Sequence, residues 1–190
     1  METVVGGILA AFGLSASAGL NAYIPLLIVS LVAKFTNLVT LAQPWDALTS
    51  WWTIGVLIVL SLVEFFADKI PAVDHVNDAI QTFIRPTAGA ILFAASAQAI
   101  TEIHPVISII AGLLVAGSVH VVKSAAVRPL VTDTTAGVGD APVSFMEDIL
   151  ATMVSLLAVV LPVLMAIVLI LIAIWIIWWV NQRKKRRHAV

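Results

Sequence analysis

Residues Ile149 to Val180 form a run of 32 residues without one charged side chain. A helix rises about 1.5 Å per residue, so about 20 apolar residues cross the ~30 Å hydrocarbon core of a bilayer. The run exceeds that length, and Pro162 sits near its centre. The rest of the chain is of the same kind: 61% of the 190 residues are hydrophobic and 11% charged, with a mean hydropathy of +1.09. A soluble domain carries about 25% charged residues, and one of this length could not hide so much apolar surface. The expected fold class is all-α: a polytopic transmembrane helical bundle with broken or re-entrant helices. One domain is expected over 1–182, followed by a basic cytoplasmic tail over 183–190 that holds Arg183, Lys184, Lys185, Arg186 and Arg187.

Thr3 to Ala33 is uncharged but too long for one simple span, and Gly13, Gly19 and Pro25 weaken its middle, which predicts a broken helix. No basic segment precedes it, so it reads as a retained membrane segment rather than a signal peptide. Trp51 to Ala67 is a cleaner span that opens on an interfacial Trp pair and closes on Glu64, Asp68 and Lys69. Pro86 to Ile100 is expected to be a short packed helix, and His104-Pro105 to start another that runs to about His120. Two polar segments, 64–85 and 120–148, interrupt this framework.

The final run is either one overlong kinked helix or a hairpin folded at Pro162. With a hairpin, nine bases (Lys69, Arg85, Lys123, Arg128 and the five of the tail) share one side against Lys34 alone, the asymmetry that marks a cytoplasmic face. This favours the hairpin, although Val159 to Val163 contains no polar turn chemistry. Trp175, Trp178 and Trp179 beside the basic tail form an aromatic belt and an anchor for anionic headgroups, so membrane lipids are the expected partners and nucleic acid is not. The triplets Ser17-Ala18-Gly19, Thr87-Ala88-Gly89 and Thr135-Ala136-Gly137 suggest a parallel internal repeat, though such triplets also arise by chance in an Ala- and Gly-rich chain.

Charge close to hydrocarbon is costly and is usually paired or functional. Glu64 and Asp68 are four apart and share a helical face, as do Asp74 and Asp78, with His75 beside them. His120 and Lys123 end another span. The candidate ion or proton cluster is Glu64, Asp68, Asp74, His75, Asp78, Arg85, His120, Lys123, Arg128 and Asp133. The two polar segments hold eight acids against four bases, an excess that attracts cations. Carboxylates with imidazoles suit a proton relay or a divalent ion, although capping and solvation of interfacial helices explain the same charges, and no firm metal site follows. Arg85 and Arg128 are each expected against carboxylates, because an unpaired guanidinium there costs several kcal/mol. Ser15, Ser17 and Asn21 are the broken-helix candidates: they either unwind the helix toward a polar ligand or form a small-residue face for a neighbouring helix. No cysteine is present, and no P-loop, Gly-x-Ser-x-Gly or His-Glu-x-x-His sequence occurs, so an enzyme is not expected and no cofactor is indicated.

The stretch from Gly13 to Pro25, the segment from Glu64 to Asp78 and the Arg-Pro-Thr-Ala-Gly that begins at Arg85 resemble a bacterial family of small membrane proteins described as domain of unknown function 4126. The resemblance implies a polytopic inner-membrane protein and brings no activity with it. The functional expectation rests on the residues: a small transporter or channel-like protein handling a cation or proton, expected to be a homo-oligomer because so few spans leave little room for a private pathway. The alternative is a non-transporting protein that binds a lipid or isoprenoid, or acts as a scaffold.

Overall fold

The computed structural model describes residues 2–69, 71–98, 103–135 and 139–162, followed by positions 164, 167, 170–172, 174, 175 and 178; the side chains of 2–4, 71–75 and 98 lie outside the description. Every regular element among the described residues is helical: α1 (Glu2–Leu20), α2 (Tyr23–Phe35), a 3-10 turn (Trp45–Thr49), α3 (Trp51–Ala67), α4 (Pro71–Gln98), α5 (Pro105–Val122), a π-helical turn (Lys123–Val127), α6 (Arg128–Thr135) and α7 (Asp140–Val160).

The first apolar run breaks where its small polar residues end. The Asn21 carbonyl oxygen of the side chain accepts from the Tyr23 and Ile24 amides at 3.1 and 3.0 Å, so it caps α2 and turns the chain back. α1, α3 and α5 run toward one end of the bundle, and α2, α4 and α7 run away from it. Both polar segments therefore meet at the same end, together with Asn21. At the opposite end Lys34 donates to the Thr49 carbonyl at 2.8 Å, and Gly6 faces the Pro162 ring.

One expectation about element boundaries changes. Pro86 does not begin a helix but lies inside α4, which runs unbroken from the first polar segment; its ring packs against Gly117 on α5. The second polar segment is helical over 120–135, because α5 continues through the π turn into α6, and again from Asp140 in α7. The long final run is interrupted just before Pro162, where the kinked-helix and the hairpin readings alike place a break. Leu161 (φ −137°, ψ 63°) leaves the α region, which a following proline disfavours, and Pro162 is helical again. The path of 183–190 lies outside the described residues.

Polarity is inverted relative to a soluble bundle. Arg85, Glu64, Asp68 and Lys123 are buried, while Trp52 is 88% and Phe83 77% exposed, with long apolar faces on α3, α5 and α7. Two described helices, Pro105–Thr135 and Asp140–Val160, are long and apolar enough to cross a membrane; Val5–Leu20, Tyr23–Phe35 and Trp51–Ala67 are apolar but shorter.

The centre is a close crossing of α1, α4 and α5. A Cβ at Gly89 would collide with Ala116, one at Gly112 with the Gly89 carbonyl, and one at Gly19 would fall 2.5 Å from the Ala116 oxygen. Small residues bring the backbones near enough for the Ser15 hydroxyl to donate to the Gly89 carbonyl at 2.8 Å. Gly112→Ala is therefore expected to destabilise the protein by about 1–3 kcal/mol through overpacking. Gly55→Ala, on an outer face with nothing near its Cβ, is expected to be neutral or to stabilise by up to about 1 kcal/mol. Thermal unfolding in detergent reads both, and equal shifts for the two variants would contradict this packing.

Candidate functional site: a buried ion network

At the shared end of the bundle, helix spacing stacks charges on inward faces. Glu64 and Asp68 are one turn apart at the end of α3, and Asp78 and Arg85 two turns apart on α4. The fully buried Arg85 guanidinium donates to Glu64 Oε1 at 3.0 Å and approaches Asp68 Oδ2 at 3.6 Å and Asp78 Oδ1 at 4.0 Å. Arg128 meets Asp78 at 3.2 Å, Asp68 at 3.5 Å and Glu147 at 3.7 Å. Lys123 meets Glu147 at 2.8 Å and Asp68 at 3.9 Å, and donates to the Leu20 carbonyl. Asp68 is thus shared by three cations, and Asn77 donates to its other oxygen.

The π turn aims part of this set. Residues five apart on an α-helix sit about 140° apart around the axis. Here the Arg128 amide bonds to the Lys123 carbonyl, which closes a wider turn and brings both side chains to the acidic side. Ser144 then links two partners, accepting from Arg128 Nη2 at 3.2 Å and donating to the Asp68 carbonyl at 3.2 Å.

His120 is neutral, and its bonds fix the tautomer. Its Nδ1 lies 3.2 Å from Arg85 Nη1, a pure donor, and so accepts. Its Nε2 lies 3.1 Å from the Thr82 hydroxyl, whose own proton goes to the Asp78 carbonyl, so Nε2 carries the hydrogen.

Of the expected cluster, Glu64, Asp68, Asp78, Arg85, His120, Lys123 and Arg128 come together. Asp133 is exposed on α6, apart from them, because the π turn rotates Arg128 inward and the outer side of α6 to the surface. The side chains of Asp74 and His75 lie outside the described residues. Among the described residues no three His, Asp or Glu side chains converge on a geometry for a metal ion; the carboxylates face guanidinium and ammonium groups instead. Ser15 and Ser17 do not unwind α1, which is helical through Leu20. Ser17 bonds to the Ala151 carbonyl and the Ser155 hydroxyl, both at 2.7 Å, and Asn21 donates to Asp148 at 3.0 Å.

Glu147 and Asp148 belong to the network, as does Lys69, which reaches Asp148 at 3.1 Å. In the sequence these charges count among the acids and bases of the polar segments, but nothing local places them in the site. The signal was present in α7, where Ser144, Asp148, Ala151, Ser155 and Ala158 recur at helical spacing as one small and polar stripe, all buried.

An all-helical bundle with a polar, charge-paired interior end and apolar outer faces is the class these features define. The profile of the family described as Domain of unknown function (DUF4126) matches residues 8–182, which span the bundle and every member of the network, and the chain belongs to that family. No curated protein and no solved structure matches it.

Removing one partner of a buried ion pair leaves the other uncompensated, at a cost of about 3–5 kcal/mol. Arg85→Gln is expected to lose stability in that range by detergent unfolding, whereas Asp133→Asn is expected to stay within about 0.5 kcal/mol of the parent. An Arg85→Gln protein as stable as the parent would show that the network contributes nothing.

Proposed function

We propose that this chain is a multi-pass protein of the bacterial inner membrane in which the buried network takes up and releases a proton, making it a small proton-conducting or proton-coupled transporter. The observation that carries this reading is the charge balance. Among the described side chains five carboxylates (Glu64, Asp68, Asp78, Glu147, Asp148) face four bases (Lys69, Arg85, Lys123, Arg128), and His120 is neutral. By the count of these described side chains the network is one positive charge short. The shortfall has a local expression, since Glu64 Oε2 is buried and accepts no hydrogen bond. A proton on that oxygen completes the balance and needs no coordination shell, which suits a site whose carboxylates do not converge on a metal. His120 holds Arg85 in place as an acceptor and does not relay the proton itself.

Inverted polarity supports the membrane placement, with lipid against the outer faces of α3, α5 and α7. The network occupies one end of the bundle, and the basic tail supports assigning that end, with the C-terminus, to the cytoplasm. A homo-oligomer would supply the length of pathway that one copy lacks.

The cysteine-free sequence makes the topology directly testable. Single cysteines at Asp46 and Thr134 are expected to be labelled from opposite sides of sealed membranes; labelling from one side would overturn the placement. For function, proteoliposomes holding a pH-sensitive dye, with the potential clamped by potassium and valinomycin, are expected to dissipate an imposed pH gradient faster than empty ones. Glu64→Gln keeps the side-chain shape and removes the titratable carboxyl; it is expected to cost stability as the partner of Arg85 and, compared per folded protein, to lower that rate at least tenfold, while Asp133→Asn leaves it unchanged. Parent vesicles no faster than empty ones would sink proton passage.

A further inference from the structure

Glu64 is fully buried, and its Oε1 is taken by Arg85 at 3.0 Å. A proton bound for Oε2 needs a group that reaches it from the end of the bundle that holds the network. Arg85 and Lys123 are charged donors with no acceptor to offer. Asp68, one turn on along α3, has both oxygens occupied, Oδ1 by Asn77 and Oδ2 by three cations. Ser61, one turn earlier on α3, lies toward the opposite end. Among the described residues around Glu64 that leaves the hydroxyl of Tyr23, the single tyrosine of the chain.

Tyr23 is the first residue of α2, at the same end as the network, and is partly exposed. Asn21 accepts from its amide at 3.1 Å, which fixes the backbone there, and its ring packs on the apolar core. Its hydroxyl is hydrogen-bonded by Gln81, buried one turn before Arg85 on α4, and lies in the electrostatic field of Glu64 and Arg85. Gln81 Oε1 has no partner, so the amide nitrogen makes that bond and the tyrosine oxygen accepts it. The hydrogen of the Tyr23 hydroxyl is therefore free to be donated, and Glu64 Oε2 is a buried acceptor that receives none.

We propose that the Tyr23 hydroxyl is the relay through which Glu64 exchanges its proton with the network end of the bundle. The inference rests on the proton reading proposed above and names the route into it. The Tyr23 O–H bond breaks as its proton goes to Glu64 Oε2, and the phenol oxygen takes a proton from a hydronium ion on its outer side. The carboxyl ends neutral and the hydronium ion ends as water. The tyrosine ends as it began, and rotation about its C–O bond resets it. Gln81 is the positioning residue: its bond holds the phenol oxygen in place and leaves the hydrogen unspent. A hydroxyl suits this place because it both donates and accepts while carrying no charge into the buried site.

Because the chain has one tyrosine, 3-fluorotyrosine incorporated throughout reports on Tyr23 alone. In the full chain in detergent, the fluorine resonance is expected to shift on acidification as Glu64 gains its proton, and that shift is expected to be lost in Glu64→Gln. Arg85, Asp68 and Lys123 also act on Glu64 and are the same in both proteins, so the difference isolates the Glu64 carboxyl. In the proteoliposome assay Tyr23→Phe keeps the ring and removes the hydroxyl, and is expected to lower the rate about tenfold or more per folded protein. The same fluorine response to pH in the parent and in Glu64→Gln overturns the relay. A conducting parent whose rate Tyr23→Phe retains also overturns it, and leaves proton passage standing. Parent vesicles no faster than empty ones overturn proton passage and the relay with it, a result distinct from the other two.

Discussion

The carboxylate of Asp68 is the point on which the rest of this structure depends. It stands at the end of α3, and its Oδ2 is approached by Arg85 from α4, Lys123 from the end of α5 and Arg128 from the start of α6. Taking ions out of water costs several kcal/mol each after relaxation, and the cost is offset only where each charge finds partners with good geometry. Here that demand organises helices whose contacts are otherwise apolar and weakly directional. α3 contributes Glu64 and Asp68 one turn apart and is drawn to Arg85. α7 contributes Glu147 and Asp148 and is drawn to Lys123, Lys69 and Asn21. An apolar interface alone would leave the rotation of these helices about their axes poorly specified; charges at fixed positions select one rotation.

Away from the network, close backbone approach takes over. Gly19, Gly89 and Gly112 let α1, α4 and α5 cross where a single methyl would collide, and Ser15 and Ser17 use the proximity to hydrogen-bond carbonyls on neighbouring helices. The two devices are linked by Asn21. Its side-chain oxygen caps α2 while its amide holds Asp148, so the break in the first apolar run is tied to the charged end of the bundle.

Much of this was legible without coordinates. Apolar run lengths marked helices of membrane character, Trp51 and Ala67 bounded α3 as read, and the small polar residues after Gly13 announced the break that Asn21 makes. Spacings of four placed Glu64 with Asp68. Other readings failed for identifiable physical reasons. Proline at 86 looked like a helix start because a proline inside a helix usually costs a hydrogen bond; the helix continues through it because α4 packs along its length against α1 and α5, and those contacts are not encoded locally. Asp133 looked equivalent to Asp78 as one more acid in a polar segment, but a π turn cannot be inferred from composition, and that turn decides which side of α6 faces inward.

By itself, the sequence determined the helical class, the apolar exterior and which charges would need partners, because these follow from hydropathy and from the cost of an ion near hydrocarbon. Only the tertiary structure decided who the partners are. Arg85 and Glu64 are 21 residues apart, Lys123 and Glu147 are 24, and Lys69 and Asp148 are 79. No local spacing encodes such pairings, since they depend on the order and rotation in which the helices pack. The same packing set the charge balance of the site: two polar segments with an eight-to-four excess of acids became, among the described side chains, a network of five against four. Packing buried some carboxylates with bases and left Asp133 in the open, and burial, which no count of residues contains, is what makes a charge matter.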